Sequence, residues 1–272
     1  MKDQNLTVDQ VYQNRPKTFW RNFLILIAVF SLFFWSADVL QYQGVSESGS
    51  IIARNILQAF FEPTLSSLLS FSVDSVWYLM FETLGIALLG TLLGGLFSLP
   101  FALLTARNIV GARASFIGTT LLTTIRTFPY FILGIMFVRV TGPGPFAGVL
   151  TIAVLSIGMT AKLFIEAIED IDKGILEALD AIGATKLQKI IYGVLPQLMA
   201  SFLSTLMHRF EINLKNATVL GLVGAGGIGF TLISAMTAFR WRDAASALWG
   251  IVIFVLIVEF ISNLVRERMV KG

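Results

Sequence analysis

Residues 172–196 read DKGILEALDAIGATKLQKIIYGVLP, and the reading of this stretch decides the fold. It is the longest mid-chain run that does not look like membrane, and apolar segments flank it on both sides. Leu176, Leu179, Leu187, Ile190 and Ile191 recur at helical spacings of three and four and fall near one face. Gly183 interrupts the pattern. Thr185 follows as an N-cap, and Gln188 three residues on completes a capping box. The spacing predicts two short helices joined at Gly183–Ala184, with Pro196 opening the next helix, since proline suits a first helical position. A charged helical hairpin between two apolar segments is the pattern of a polytopic membrane protein with an extramembrane loop.

The composition agrees. Of 272 residues 56% are hydrophobic and 14% charged, with 23 Phe and a mean hydropathy of +0.78, values unusual for a soluble domain. Several stretches approach the ~20 apolar residues that span a bilayer. A polar start, residues 1–18, precedes a first span from Trp20 to about Val39, which carries no small-residue cleavage site and reads as retained. Residues 41–75 are mixed. A second span covers 76–100, rich in glycine from Gly85 to Gly95. A third covers about 116–140, interrupted by Arg126 and Pro129. The Gly/Pro turn 141–145 leads to a fourth at about 146–165. After the quoted stretch come a long segment to Gly221, a glycine cluster, and a last span at about 244–264. The expected division is a cytoplasmic segment 1–18, a first helix and external loop 19–75, a core 76–264 containing a cytoplasmic loop 166–195, and a cytoplasmic tail 265–272.

Lys and Arg orient these spans. With six spans and both termini inside, 13 of the 20 basic residues fall on the cytoplasmic side: Lys2, Arg15, Lys17, Arg21, Arg107, Arg113, Lys162, Lys173, Lys186, Lys189, Arg266, Arg268 and Lys271. Arg54, Arg139, Arg240 and Arg242 fall outside, and the last two run against the bias. The quoted stretch is thereby placed in the cytoplasm by charge alone.

The sequence also excludes chemistries. There is no G-x-x-x-x-G-K-[ST] phosphate loop, so this chain does not hydrolyse ATP by that route. Cys is absent and His208 is the only histidine, which leaves no thiolate or histidine metal site and no catalytic triad. Residues 224–229, GAGGIG, fit G-x-G-x-x-G, but the βαβ context of a dinucleotide site is missing. Gly224, Gly226, Gly227 and Gly229 read instead as a bend or close-packing point beside a transport pathway. Arg126, Arg209 and Lys215 lie inside predicted spans, where a cation costs about 2.5–3.5 kcal/mol on insertion scales. Two readings stand. In one, Glu211 and Lys215 pair at i,i+4 and Arg209 pairs across helices. In the other, Arg209 or Lys215, with Asn213, makes the passage electropositive for an anion; Arg126 equally fits a cytoplasmic-interface helix that precedes a shorter third span. Glu82 and Glu259 read as interfacial.

Glu177, Ala178, Gly183, Leu195 and Pro196 stand in the register of the cytoplasmic signature of ABC importer permeases, although Leu179 and Gly193 occupy its second Ala and its Ile. Residues 216–229 (NATVLGLVGAGGIG), 192–197 (YGVLPQ), 209–211 (RFE) and 142–150 (GPGPFAGVL) resemble the phosphonate/phosphite branch of that family. The methionine importers share the GAGG string. The resemblance implies an all-α type I ABC importer transmembrane domain of about six helices in a bacterial inner membrane, with Glu177, Ala178, Asp180, Gly183, Ala184, Leu187, Leu195 and Pro196 in a coupling helix that docks on an ATPase. It implies no catalytic role and no cofactor in this chain, ATP and Mg being bound by the ATPase. It implies as partners two ATPase chains, an external solute-binding protein, a second copy of the chain and the lipid bilayer, and no nucleic acid. An importer for another small solute such as methionine, or an ATP-independent secondary transporter, are the alternatives.

Overall fold

The computed structural model describes residues 19–38, 47–64, 66, 68, 75–171 and 173–271, all helix or short connection. Residues 1–18, 39–46, 65, 67, 69–74, 172 and 272 lie outside the described residues. Helix α1 (Phe19–Asp38) belongs to one compact unit, residues 1–52; the helices after it form a second, residues 53–272, with α2 (Glu47–Phe61) running across the boundary. α1 is apolar on every face, with Phe19, Trp20, Phe33 and Trp35 all exposed, the pattern of a helix surrounded by lipid.

The second unit continues with α3 (Val76–Leu103), α4 (Arg107–Val110), α5 (Ala112–Thr127), α6 (Tyr130–Thr141), α7 (Pro145–Glu169), α8 (Lys173–Ala181), α9 (Lys186–Lys189), α10 (Leu195–Leu220), α11 (Ile228–Thr237) and α12 (Trp241–Lys271). Five helical segments are long and apolar enough to cross a bilayer, and α5 with α6 makes a sixth that bends by 81° at its break. The break is local in origin. Pro129 cannot donate to the helix ladder and pushes Phe128 into an extended conformation at ψ 124°.

α3 and α7 form the central pair, and small residues let their backbones approach. A Cβ added at Gly90 would lie 2.6 Å from Ile152 Cγ2, and one at Gly94 2.8 Å from the Ala153 carbonyl oxygen. With lipid as solvent there is no hydrophobic drive between helices, so such close packing supplies the association. Three buried hydroxyls are satisfied inside their own helix: Thr83, Thr91 and Thr151 donate to the carbonyls of Leu79, Ala87 and Ala147 at 2.6–2.7 Å. One apolar core joins Met80, Ile86, Ile152, Leu214, Leu220 and Phe254. The other lies toward the quoted stretch and joins Leu122, Phe164, Ile168, Val194, Leu198 and Phe202. There the rings of Phe164 and Phe202 are 4.2 Å apart.

Three features differ from the sequence reading. The mixed segment contains α2, whose Ile52, Ile56 and Phe60 keep helical spacing. It is fixed to the start of α12: Trp249 Nε1 donates to the Phe60 carbonyl at 2.8 Å, and Arg242 pairs with Glu62 at 2.5 Å. Arg240 pairs with Asp243, so both arginines that ran against the charge bias have an acid beside them. Finally, α12 runs through residue 271, past the expected end at 264, because 265–271 keep strong helix formers after the apolar run.

Candidate functional site

Three parts of the molecule collect the residues singled out by sequence. The first is the loop between α7 and α10. Helix α8 closes in a Schellman motif: the Gly183 N–H donates to the Asp180 carbonyl at 2.9 Å and the Ala184 N–H to the Leu179 carbonyl at 3.0 Å, with Gly183 at φ 74°. The capping box then opens α9. Gln188 N–H donates to Thr185 Oγ1, and the Thr185 N–H donates to Gln188 Oε1 at 2.8 Å. Lys189 reaches back to pair with Asp180, tying the two short helices together. A π-helical turn, Ile190–Val194, carries the chain into α10, and Leu195 and Pro196 form its first turn.

The outer face of this loop is charged and apolar together. Glu177, Ala178, Asp180, Gly183 and Pro196 are exposed, while Ala184 and Leu195 are half-buried. Ile182 and Leu187 are 78% and 65% exposed. The expected common apolar face is therefore divided: Leu187 and Ile191 point outward, whereas Ile190 is half-buried. The Leu176 side chain lies outside the described ones. A cleft of about 320 Å3 beneath the loop is lined by Asn108, Ile109, Glu177, Asp180, Lys186, Lys189, Ile190 and Val194. The α3–α5 connector thus borders it, and is itself held to α7: Asn108 Nδ2 donates to the Ile168 carbonyl and the Arg107 N–H to Glu169, both at 2.7 Å.

The second part is a polar centre among the apolar helices. Asn213 is fully buried. Its Nδ2 donates to Thr91 Oγ1 at 2.9 Å and Ser156 Oγ at 2.8 Å, and its Oδ1 accepts from Tyr130 Oη at 3.3 Å. One side chain of α10 therefore joins α3, α6 and α7. Arg209, one turn earlier and 6% exposed, donates Nη2 to Tyr130 Oη at 3.0 Å and to Met159 Sδ at 3.1 Å. Its Nε has no partner, and no carboxylate pairs with Arg209 or Arg126 among the described residues. The expected Glu211–Lys215 pair does not form. Glu211 turns inward, 3.9 Å from Arg266 and 3.8 Å from His208, while Lys215 lies 3.7 Å from Glu259. The neighbouring α12 offers partners across the helix gap, and an exposed i,i+4 pair contributes only about 0.3–0.5 kcal/mol with which to compete. Glu259 is thus a cross-helix partner of Lys215.

The glycine cluster is a tight loop seated on α3 and the 142–145 turn. Gly224, Gly226 and Gly227 all take φ between 75° and 84°, a region open to glycine at little cost. Glu82 Oε1 accepts the Gly227 N–H at 2.9 Å, Thr83 Oγ1 accepts that of Ile228 at 3.0 Å, and the Gly224 carbonyl accepts the Gly144 N–H at 2.8 Å. Gly229 packs backbone to backbone against Thr218 and Gly221. Sequence reasoning named Glu82 as interfacial and missed its contact with the glycine loop. The only signal was an acid in the second turn of an apolar helix, and its partner lies 145 residues away.

Residues 98–272 match the family described as binding-protein-dependent transport system inner membrane component. The phosphite transport system permease protein PtxC of Stutzerimonas stutzeri is 37% identical over 190 residues, which is 70% of this chain and 69% of that protein. The putative phosphite transport system permease protein HtxC of the same organism is 31% identical over 249 residues, 90% of this chain and 86% of that one. Among solved structures, a chain of the MetNI methionine ABC transporter in inward-facing conformations superposes with a TM-score of 0.65 at 22% identity, covering 74% of this chain and 99% of that chain. At that identity the likeness speaks for the fold.

Proposed function

Because the chain belongs to the family of binding-protein-dependent transport system inner membrane components, and is thus the permease subunit of an ABC importer with the type I fold rather than an enzyme, we propose that its cargo is phosphite, a phosphonate or a related phosphorus oxyanion. The observation that carries this reading is the meeting of Arg126 and Arg209 at a broken span with no acid among the residues around them, in a chain akin to phosphite permeases. Cations held at membrane depth favour an anionic passage. Arg126 and Arg209 supply positive charge to the path, Lys215 adds little because Glu259 lies beside it, Asn213 fixes the helices that carry it, and Gly224, Gly226, Gly227 and Gly229 shape its far end.

The working assembly is two copies of this chain related by a two-fold axis, two ATPase chains that bind ATP and Mg, and an external solute-binding protein. Both termini lie in the cytoplasm. Glu177, Ala178, Asp180, Gly183, Ala184 and Leu187 form the docking face, and Leu195 and Pro196 pass its movement into α10. A rigid loop is what such transmission requires. The Schellman motif, the capping box and the Asp180–Lys189 pair support rigidity here. ATP-driven closure of the ATPases then shifts the loop between two positions, and differential contacts in the two states supply the coupling.

Proteoliposomes containing permease, ATPase and binding protein test this directly. ATP-dependent phosphite uptake is expected from the wild type, and uptake reduced at least tenfold in Arg126→Gln. A wild-type assembly that imports methionine and not phosphite would sink the cargo assignment while leaving the permease assignment intact.

A further inference from the structure

Beside the polar centre lies a chamber of about 420 Å3 lined by Thr123, Arg126, Thr127, Met159, Lys162, Leu163 and Arg209. Three of these residues are cations and none is an acid. Lys162 alone has a counter-ion, Glu166 at 3.3 Å. The chamber sits at the α5–α6 break, and irregular backbone at membrane depth persists where it lines a cavity. Arg209 is held from behind by Tyr130 and Met159, yet its buried Nε–H has no partner. The protein groups around it thus leave part of the hydrogen-bonding capacity of this guanidinium unused at the chamber wall. The stem of Arg126 crosses α7 at Gly158, where an added Cβ would stand 2.8 Å from Arg126 Cγ. That glycine lets the second guanidinium reach the same chamber.

We infer that this chamber is an oxyanion-binding subsite of the membrane subunit itself, so that the permease reads the charge of its cargo after the binding protein has released it. This deepens the cargo reading above and rests on it for the identity of the ion. Two guanidiniums match the oxygens of a tetrahedral phosphorus oxyanion, and the Thr123 hydroxyl borders the same space. The space is open on one side rather than enclosed, so a small oxyanion enters with part of its hydration shell. Binding is therefore weak, as passage requires: favourable enough to enter and loose enough to leave. The shared chemistry, a phosphorus-bound anionic oxygen, also belongs to lipid headgroups.

The test is equilibrium dialysis of phosphite against the full permease–ATPase complex, in maltoside micelles without phospholipid and without binding protein. Saturable retention by the wild type is expected, weakened at least tenfold by Arg126→Gln and by Arg209→Gln. Gly158→Val, which changes no charge, should also weaken it by displacing Arg126. Arg139→Gln, a cation outside the chamber, should leave it unchanged. Should Arg209→Gln fail to assemble, the more exposed Arg126→Gln decides. No retention by the wild type, or retention unaltered by Arg126→Gln, overturns the subsite. Competition by added phosphatidylglycerol assigns the bound oxyanion to a headgroup, and its absence assigns it to the free ion. Phosphite uptake measured alongside separates the two readings. Uptake without retention removes the subsite alone, and retention without uptake removes the cargo assignment alone.

Discussion

Asn213 shows how much one buried amide can organise. Its three partners lie 122, 57 and 83 residues away in sequence, so no local pattern reveals them. Replacing it by Leu leaves Thr91, Ser156 and Tyr130 without that partner. We expect Asn213→Leu to destabilise the protein by about 1–3 kcal/mol, read as a lowered Tm of the purified protein in detergent. Gly183 is the opposite case, legible from sequence because its reason is local. A Cβ there would meet nothing within 4 Å, so only its positive φ resists substitution. Gly183→Ala should cost the loop about 1–2 kcal/mol and Gly183→Asn less. If the loop transmits motion, binding-protein-stimulated ATP hydrolysis should fall in the Ala variant while the Tm of the membrane core stays near wild type. An unchanged stimulation would argue against a rigid coupling loop.

Among the elements, α3 and α7 test the small-residue packing argument within one helix. Gly94 faces backbone on α7, which cannot give way, whereas Gly85 has open space around it. Gly94→Val should lower the yield of folded protein and cost about 1–3 kcal/mol or more. Gly85→Ala should be neutral or stabilise by about 0.5–1 kcal/mol, since glycine in a helix interior is entropically costly. Thermal unfolding of the pair measures the contrast, and equal effects would refute the packing account. The same helix carries Glu82, whose role depends on accepting a hydrogen bond. Glu82→Gln keeps an acceptor and should keep the 224–227 loop seated, while Glu82→Ala should loosen it, visible as faster labelling of a cysteine placed at Pro143.

For the whole molecule, the absence of cysteine makes orientation measurable. A single cysteine at Ile182, on the exposed loop, should react with a membrane-impermeant maleimide only in inside-out vesicles, and one at Thr141 only in right-side-out cells. The reverse pattern would invert the charge-based topology. Arg240 and Arg242, the exceptions to that topology, pair with Asp243 three residues on and with Glu62 180 residues away, contacts that a count of charges does not show.

What the sequence determined by itself were the features with short-range causes. Apolar length set the spans, Pro129 set the break, and Gly183, Thr185 and Gln188 set the shape of the loop. Basic residues set the expected sidedness. What only the tertiary structure decided were the partners of polar groups inside the membrane: Glu211 with His208 and Arg266, Lys215 with Glu259, Glu82 with Gly227, and Arg209 beside Arg126 at one chamber. The physical reason is that a helix in lipid satisfies its own backbone locally, while a buried side chain takes whichever partner the neighbouring helix brings within reach.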